Sequence, residues 1–186
     1  MMRLSAMIVA LAMGAPILGP LALAPAAYGA TGKERLDVPI HAVTAKGTGE
    51  RLGSIIVTQT ATGARFSLNL KNLPPGIHGF HLYTVGSCEA AAAGGRMVPA
   101  GAAGTIYDPF KVGRHQGPNG RGYLGSLPTI YVTSKGTANQ SITAPRVQLG
   151  DVQGRALLIK AGPDDYTDQP LPLGGSGDAI ACGVVR

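Results

Sequence analysis

Short runs of β-favouring residues, separated by turn signals, are the feature that most constrains the fold of this chain. Seven runs are rich in β-branched or aromatic residues, as is typical of strands. They are residues 38–44 (VPIHAVT), 53–60 (GSIIVTQT), 64–70 (ARFSLNL), 79–85 (GFHLYTV), 129–133 (TIYVT), 155–161 (RALLIKA) and 179–185 (AIACGVV). The 28 Gly and 14 Pro supply abundant turns between them. This pattern predicts an all-β sandwich or barrel with long loops.

Two stretches do not follow the strand pattern. Residues 87–128 are dominated by Gly, Ala and Pro, and a loop of this length in a compact domain is usually functional or held by a specific contact. Residues 47–53 (GTGERLG) lack the spacing of a dinucleotide-binding loop, so we predict a hairpin turn there. The 16 Lys and Arg give a formal net charge of +6 but are scattered singly. Nucleic acid is therefore not an expected partner.

The first thirty residues have the composition of a secretory signal peptide. Arg3 supplies a positive charge, residues 4–15 are apolar but too short to cross a bilayer, and residues 24–30 offer small side chains for cleavage. The alternative, an uncleaved anchor, is disfavoured because Gly14 and two prolines interrupt the apolar run. We predict cleavage within residues 26–30, one domain over residues 31–186, a periplasmic or secreted product and no membrane span after cleavage.

The expected compartment indicates the oxidation state of the two cysteines. Cys88 and Cys182 are the only cysteines in the chain. In an oxidising space they are expected to form a single disulfide that closes most of the mature chain into a loop. The alternative is a pair of free, buried thiols.

Three long motifs resemble the bacterial periplasmic copper–zinc superoxide dismutases. They are LPPGIHGFHLYTVGSC at residues 73–88, DPFKVGRHQGPNGRGYLGSLP at residues 108–128, and residues 155–182. The resemblance extends from about residue 37 to residue 186. It implies an eight-stranded antiparallel Greek-key barrel, a loop held by Cys88–Cys182, and an electrostatic loop around residues 164–177.

The same resemblance implies that most metal ligands are replaced. Of the four copper histidines only His81 is matched, and of the four zinc ligands only His115. The substituted positions are Tyr83, Ile106, Tyr123, Ser126, Lys160 and Ala179, of which the last corresponds to the arginine of the family's active site. Because a zinc site needs at least three protein ligands, we expect no bound cofactor; copper and zinc, as in the family, are the alternative.

Asp164 corresponds to an aspartate that joins one copper histidine to one zinc histidine in the family. We therefore expect His81, Asp164 and His115 to form a hydrogen-bond network without a metal. The alternative is that these residues, with Tyr83 or Tyr123, bind a different ion; haem is a third possibility, although no CxxCH motif is present. For Lys160 we expect a side chain that extends to water, the alternative being a fixed cation beside Tyr83 and Asp164.

Two classes of function remain open. The replaced ligands favour a non-enzymatic periplasmic module that binds an unknown protein or small ligand, as a monomer or homodimer. The alternative is an enzyme, either a superoxide dismutase with a rebuilt metal site or one that acts on another substrate. The fold alone does not decide between them, because function depends on the site.

Overall fold

The computed structural model describes residues 35–186, which form eleven strands and one short α-helix. The predicted signal peptide lies outside the described residues. The elements are β1 (Arg35–Thr44), β2 (Gly47–Thr60), β3 (Gly63–Leu70), β4 (Gly76–His78), β5 (Phe80–Tyr83), β6 (Ala91–Ala93), β7 (Arg96–Val98), β8 (Ile130–Val132), β9 (Ala138–Ala144), α1 (Leu149–Val152), β10 (Ala156–Lys160) and β11 (Ala179–Val184).

Seven of the strands form one antiparallel sheet in the order β5-β10-β11-β1-β2-β3-β9. β4 pairs with β8, and β6 pairs with β7 as a separate hairpin in the long loop. Only Gly79 separates β4 from β5, so these two strands continue one another. Counted as one strand, and without the hairpin, they give the eight strands of the expected barrel. The predicted all-β antiparallel barrel is confirmed.

The main hydrophobic core is enclosed by the inner face of this curled sheet. β3 alternates buried and exposed positions, as a strand with one solvated face should. Phe66 on β3 and Phe80 on β5 meet edge to face, with ring centroids 5.5 Å apart. β10, by contrast, is buried at all five positions. It is hydrogen-bonded on both sides, to β5 and β11, and its last residue, Lys160, is buried as well.

The predicted disulfide is present. Cys88, in the loop after β5, is bonded to Cys182 on β11, and their Cα atoms are 5.7 Å apart. The bond attaches the start of the long loop to the barrel. That loop, residues 84–129, contains the β6–β7 hairpin and His115.

Three local features differ from the expectations. Residues 47–53 are not a turn but the first part of β2, because Gly47 and Thr48 pair with Thr44 and Val43 of β1 and the chain reverses at residues 45 and 46. β9 and the β6–β7 hairpin gave no strand signal. The β9 segment, ANQSITA, is largely polar because it is an edge strand.

No helix within residues 35–186 is long and apolar enough to cross a membrane.

Candidate functional site

A buried carboxylate joins two histidines from different parts of the chain. His81 lies on β5, His115 in the loop before β8, and Asp164 in the segment after β10. His81 Nε2 is 2.7 Å from Asp164 Oδ2. His115 Nε2 is 2.7 Å from Asp164 Oδ1, and the side chains of all three residues are inaccessible to solvent. The structure therefore brings together the three residues that the sequence singled out.

The electrostatics of the trio define its protonation. Burial lowers the pKa of His81 and outweighs the hydrogen bond and charge of Asp164, which act in the opposite direction. Burial alone would raise the pKa of Asp164, but hydrogen bonds from His115, His81 and the Tyr166 N–H hold it well below its usual range. At neutral pH Asp164 is therefore an anion and His81 is neutral. His81 donates from Nε2 and keeps a lone pair on Nδ1.

The two Nδ1 atoms have different surroundings. His115 Nδ1 accepts a hydrogen bond of 2.7 Å from Ser126 Oγ. His81 Nδ1 is buried and has no hydrogen-bond partner within residues 35–186. An unpartnered buried nitrogen is costly to leave as it is. It is therefore the atom of the site that is available to a ligand.

The segment between β10 and β11, residues 161–178, holds Asp164 in place. The Tyr166 N–H donates to Asp164 Oδ1 over 2.8 Å, and Tyr166 Oη accepts from the Thr129 N–H over 2.9 Å. Asp168 accepts from the His115 N–H over 2.8 Å. Gly174 packs so closely on the carboxylate that a Cβ there would collide with Asp164 Oδ1. None of these supporting contacts could be inferred from residue spacing.

The remaining substituted positions surround the trio. Tyr83 forms an isolated β-bridge with Ile106, and both belong to a hydrophobic cluster that includes Ala179 and Cys182. Burial raises the pKa of Tyr83 to about 12, so its phenol is protonated at neutral pH. Tyr123 stacks on His115, with ring centroids 6.3 Å apart. This side of the site is therefore apolar and aromatic.

Lys160 does not extend to water, so the expectation for this residue is wrong. It is only 9% exposed, and its Nζ lies 5.8 Å from the centroid of the Tyr83 ring. Burial lowers its pKa, although the charges of Asp178 and Asp164 oppose the shift. The reason is its position on β10: Ile159 faces the main core, so Lys160 shares the opposite face with Leu158, which packs with Tyr83 in a second buried cluster.

Ser126, His115 and Asp164 are connected in the order of a Ser-His-Asp triad, which the sequence reasoning missed. Ser126, however, is only 1% exposed. Its own N–H donates to the Tyr123 carbonyl, and the next N–H, of Leu127, donates to the Phe80 carbonyl. Neither is free to stabilise an oxyanion. The Ser126 hydroxyl therefore serves to orient His115 and is not a nucleophile.

Comparisons with known proteins agree with this architecture. The family described as copper/zinc superoxide dismutase (SODC) matches residues 51–185. "Superoxide dismutase [Cu-Zn] 2" of Salmonella typhimurium is 45% identical over 150 residues, which cover 80% of this chain and 87% of that protein. "Superoxide dismutase [Cu-Zn]" of Escherichia coli is 41% identical over 170 residues, which cover 91% of this chain and 97% of that protein.

A solved structure gives the same result. The copper/zinc superoxide dismutase from Brucella abortus superposes with a TM-score of 0.81 and is 36% identical, covering 82% of this chain and all of that one. These relatives favour the enzymatic alternative over the non-enzymatic module that the replaced ligands alone favour.

The expectation of no cofactor is contradicted. The relatives are named for copper and zinc, and His81, His115 and Asp164 each offer a ligand atom, all within 4.8 Å of one another. Two imidazoles and a carboxylate are suitable donors for a zinc, copper or iron ion, and the unpartnered Nδ1 of His81 fits such a role. Within residues 35–186 this is the one cluster of its kind. By its sequence match, its barrel and its relatives, the chain belongs to the copper/zinc superoxide dismutase family.

Proposed function

We propose that this protein is a superoxide dismutase whose site is rebuilt around one metal ion bound at Nδ1 of His81, with Asp164 holding the rings of His81 and His115 from their Nε2 atoms. The observation that carries the proposal is the buried Nδ1 of His81, which has no partner among the described residues, while Nε2 of the same ring is held by Asp164. A histidine oriented by a carboxylate in this way is a typical metal ligand. The proposed reaction converts two superoxide ions and two protons into dioxygen and hydrogen peroxide.

The residues of the chain have distinct parts in this proposal. Asp164 orients both rings and carries the negative charge that balances a cation. His115 completes the network, since its Nε2 donates to Asp164 and its Nδ1 accepts from the Ser126 hydroxyl. When bound, a redox-active ion such as copper supplies the alternation between oxidation states that dismutation requires. Lys160 is a basic side chain close enough to Asp164 for their charges to interact. Ala179, in contrast, provides no charge.

The site is rebuilt in the sense that several positions differ from the family pattern. By resemblance, Tyr83, Ile106 and Lys160 take the places of copper histidines, and Tyr123 and Ser126 the places of zinc ligands. We therefore propose a site for one ion with weaker binding than in a protein with a complete set of ligands. Ala179 removes a guanidinium, so anion steering, and with it the rate, should be reduced.

Metal analysis of the purified protein, combined with superoxide decay measured by stopped flow or pulse radiolysis, tests this function. After loading with copper and dialysis against a mild chelator, we expect about one ion per chain and faster decay than in a matched free-copper control. His81→Ala should lose both the ion and the activity. His41→Ala, a histidine on β1 outside the cluster, is the control and should keep both. Absence of a retained ion, or equal retention in His81→Ala, would contradict the proposal.

A second candidate is a non-enzymatic binding module on the same scaffold, with the trio as a structural ion site. The observation that favours it is the apolar cluster of Tyr83, Ile106 and Ala179 beside the trio, which would hinder the approach of a small anion. A stoichiometric ion that survives dialysis without any superoxide removal would select this candidate. Its partner would be a protein or small ligand.

We further propose that the protein works in the periplasm or is secreted, as a monomer or homodimer. The disulfide supports an oxidising compartment, and the composition of residues 1–30 supports export. Intact mass spectrometry of exported protein should show loss of the first 26 to 30 residues and no free thiols. Sedimentation of the same sample gives the oligomeric state. A mass that retains the first residues would contradict export by cleavage.

A further inference from the structure

The acidic residues of the folded part of the chain are unevenly distributed, although the basic residues are spread along the sequence. Residues 109–150 contain five basic residues and no acidic one. Residues 35–108 and 151–186 together contain nine of each, so their formal charges cancel. One continuous stretch therefore carries the formal net charge of residues 35–186, a distribution that favours an anionic partner.

Tertiary contacts bring three of these five basic residues together around Gly122. The Arg114 carbonyl accepts from the Tyr123 N–H over 3.0 Å, so the chain around Gly122 lies against Arg114 and brings Arg121 close to it. Arg146, which is half-buried, donates from Nη2 to the Gly122 carbonyl over 2.9 Å. Three cations therefore share one region of the protein.

A fourth basic residue, Lys111, precedes Arg114 in the same loop. Lys111, Arg114 and Arg121 are exposed, and no ion pair among residues 35–186 includes any of them. Long, exposed and unpaired side chains of this kind can adjust to a partner whose charges are not fixed in one arrangement.

Two carboxylates adjoin this region, and backbone N–H groups occupy both of them. Asp108 Oδ2 accepts from the Gly113 N–H over 2.9 Å, and its other oxygen is buried. Asp168 accepts from the His115 N–H over 2.8 Å. Neither carboxylate is paired with an exposed cation of the loop, so these cations are available to negative charges from outside the protein.

The same loop presents an exposed aromatic ring. Phe110 is 70% exposed, more than any other large hydrophobic residue within residues 35–186. It lies in a tight turn closed by a 3.2 Å hydrogen bond from the Lys111 N–H to the Asp108 carbonyl. Because the turn fixes the backbone on both sides of the ring, little ordering is needed when the ring meets a partner. An exposed aromatic residue beside Lys and Arg is typical of surfaces that lie on anionic bilayers.

We propose that Phe110, Lys111, Arg114 and Arg121 form a basic face that docks on a membrane rich in anionic phospholipids. The ring enters the boundary between headgroups and acyl chains, and the three cations lie at the lipid phosphates. A fluid layer of phosphates attracts flexible cations without a shaped site. A soluble acidic polymer would match the charges but would offer the Phe110 ring no apolar layer, so the exposed ring favours the membrane. The basic face contains none of the ion ligands, so docking requires neither a bound ion nor dismutation.

Cosedimentation with lipid vesicles tests the proposal. Vesicles of phosphatidylcholine with an equal amount of phosphatidylglycerol carry the negative charge, and vesicles of phosphatidylcholine alone are the neutral control. We expect the exported protein to bind the anionic vesicles with an affinity that falls as sodium chloride is added and that EDTA does not change. Equal binding to the two kinds of vesicle, or no binding to the anionic ones at low salt, would overturn the proposal.

Charge variants identify the face. Lys111→Gln, Arg114→Gln and Arg121→Gln should each weaken binding roughly fivefold, and the triple variant roughly a hundredfold. The control triple variant loses the same charge at exposed positions of the β1–β2 hairpin, by Arg35→Gln, Lys46→Gln and Arg51→Gln. It should bind nearly as tightly as the wild type. Equal losses in the two triple variants would show that binding depends on net charge alone, against a docking face in this loop.

A tryptophan reporter tests insertion of the ring. The chain contains no Trp, so the tryptophan emission of Phe110→Trp comes from this position alone. We expect a blue shift on anionic vesicles and quenching by brominated lipids, whereas Ile77→Trp, at a residue of β4 that is 53% exposed, should show neither. Absence of both signals at position 110 would overturn the proposal. The same blue shift with soluble polyglutamate in place of vesicles would assign the face to an acidic polymer or protein and would also overturn it.

Discussion

Asp164 is a buried carboxylate whose two oxygens serve three donors. Its partners are His81, His115 and the Tyr166 N–H. Charge-assisted hydrogen bonds of this kind are stronger than neutral ones and expensive to break in the interior. The residue therefore has two tasks, because it orients the rings for an ion and ties residues 161–178 to the barrel.

Asp164→Asn tests the structural part of this role. The amide keeps one acceptor but places an N–H donor against an imidazole N–H, so we expect the free energy of unfolding to fall by about 1 to 3 kcal/mol. Urea unfolding in EDTA, which removes any contribution from a bound ion, is the measurement. Asp165→Asn, at the exposed neighbouring position, should change little. A loss seen only in metal-loaded protein would show that the network has no stability of its own.

We expect the buried Lys160 to destabilise the folded protein at neutral pH. Since burial lowers its pKa, the unfolded chain holds the proton more tightly than the folded protein. Stability should therefore rise with pH toward the ordinary lysine value of about 10.4. We expect Lys160→Met to raise the melting temperature at pH 7, with a gain that shrinks as the pH approaches 10.

Lys71→Met, at an exposed lysine, is the control for Lys160→Met and should show neither effect. Thermal unfolding at several pH values between 6 and 10 makes the comparison. A lower melting temperature for Lys160→Met at pH 7 would mean that the attraction to Asp164 and Asp178 exceeds the cost of burial. Lys160 would then be a required cation of the site.

At the scale of the element, the segment between β10 and β11 depends on a close backbone approach. Gly174 and Gly175 both have positive φ, at 70° and 65°. A Cβ at Gly174 would strike Asp164, whereas a Cβ at Gly175 would meet only the Leu171 side chain at 3.3 Å. The two glycines share the same backbone requirement and differ in their contact with the trio.

This pair gives a matched experiment. We expect Gly175→Ala to cost about 1 to 2 kcal/mol from the left-handed backbone alone, and Gly174→Ala to cost clearly more, because Asp164 must also move. Gly174→Ala should in addition shift the His81 and His115 imidazole resonances in NMR spectra. Equal losses without such shifts would show that Gly174 is needed only for its backbone conformation.

At the scale of the whole molecule, Cys88–Cys182 closes a loop that contains the long loop and β8, β9 and β10. The bridged residues are 94 positions apart. Cys88→Ser should lower the free energy of unfolding by about 2 to 5 kcal/mol, the usual range for a native bridge in a secreted domain. The double variant with Cys182→Ser should cost about the same as either single one, because one bond is lost in each case. Denaturant unfolding of the three variants and of reduced wild type checks this, and additive losses would contradict it.

Much of the architecture could be read from the sequence because it is local or periodic. Seven β-type runs, two cysteines and three motifs indicated the barrel and the disulfide. β9 was missed because an edge strand needs few apolar residues, and the turn at residues 47–53 was misplaced because glycines also occur within β2. Such errors arise where pairing with a neighbouring strand overrides local preference.

The sequence by itself determined which side chains are present for a site, including His81, His115, Asp164 and the residues that replace other ligands. The tertiary structure alone decided what they do. It buried Lys160, hydrogen-bonded the Ser126 hydroxyl to His115 Nδ1, and left Nδ1 of His81 without a partner among residues 35–186. The partners in the trio are 49 and 83 positions apart, so their distances and protonation depend on burial and on contacts made by closing the barrel, which no local pattern encodes.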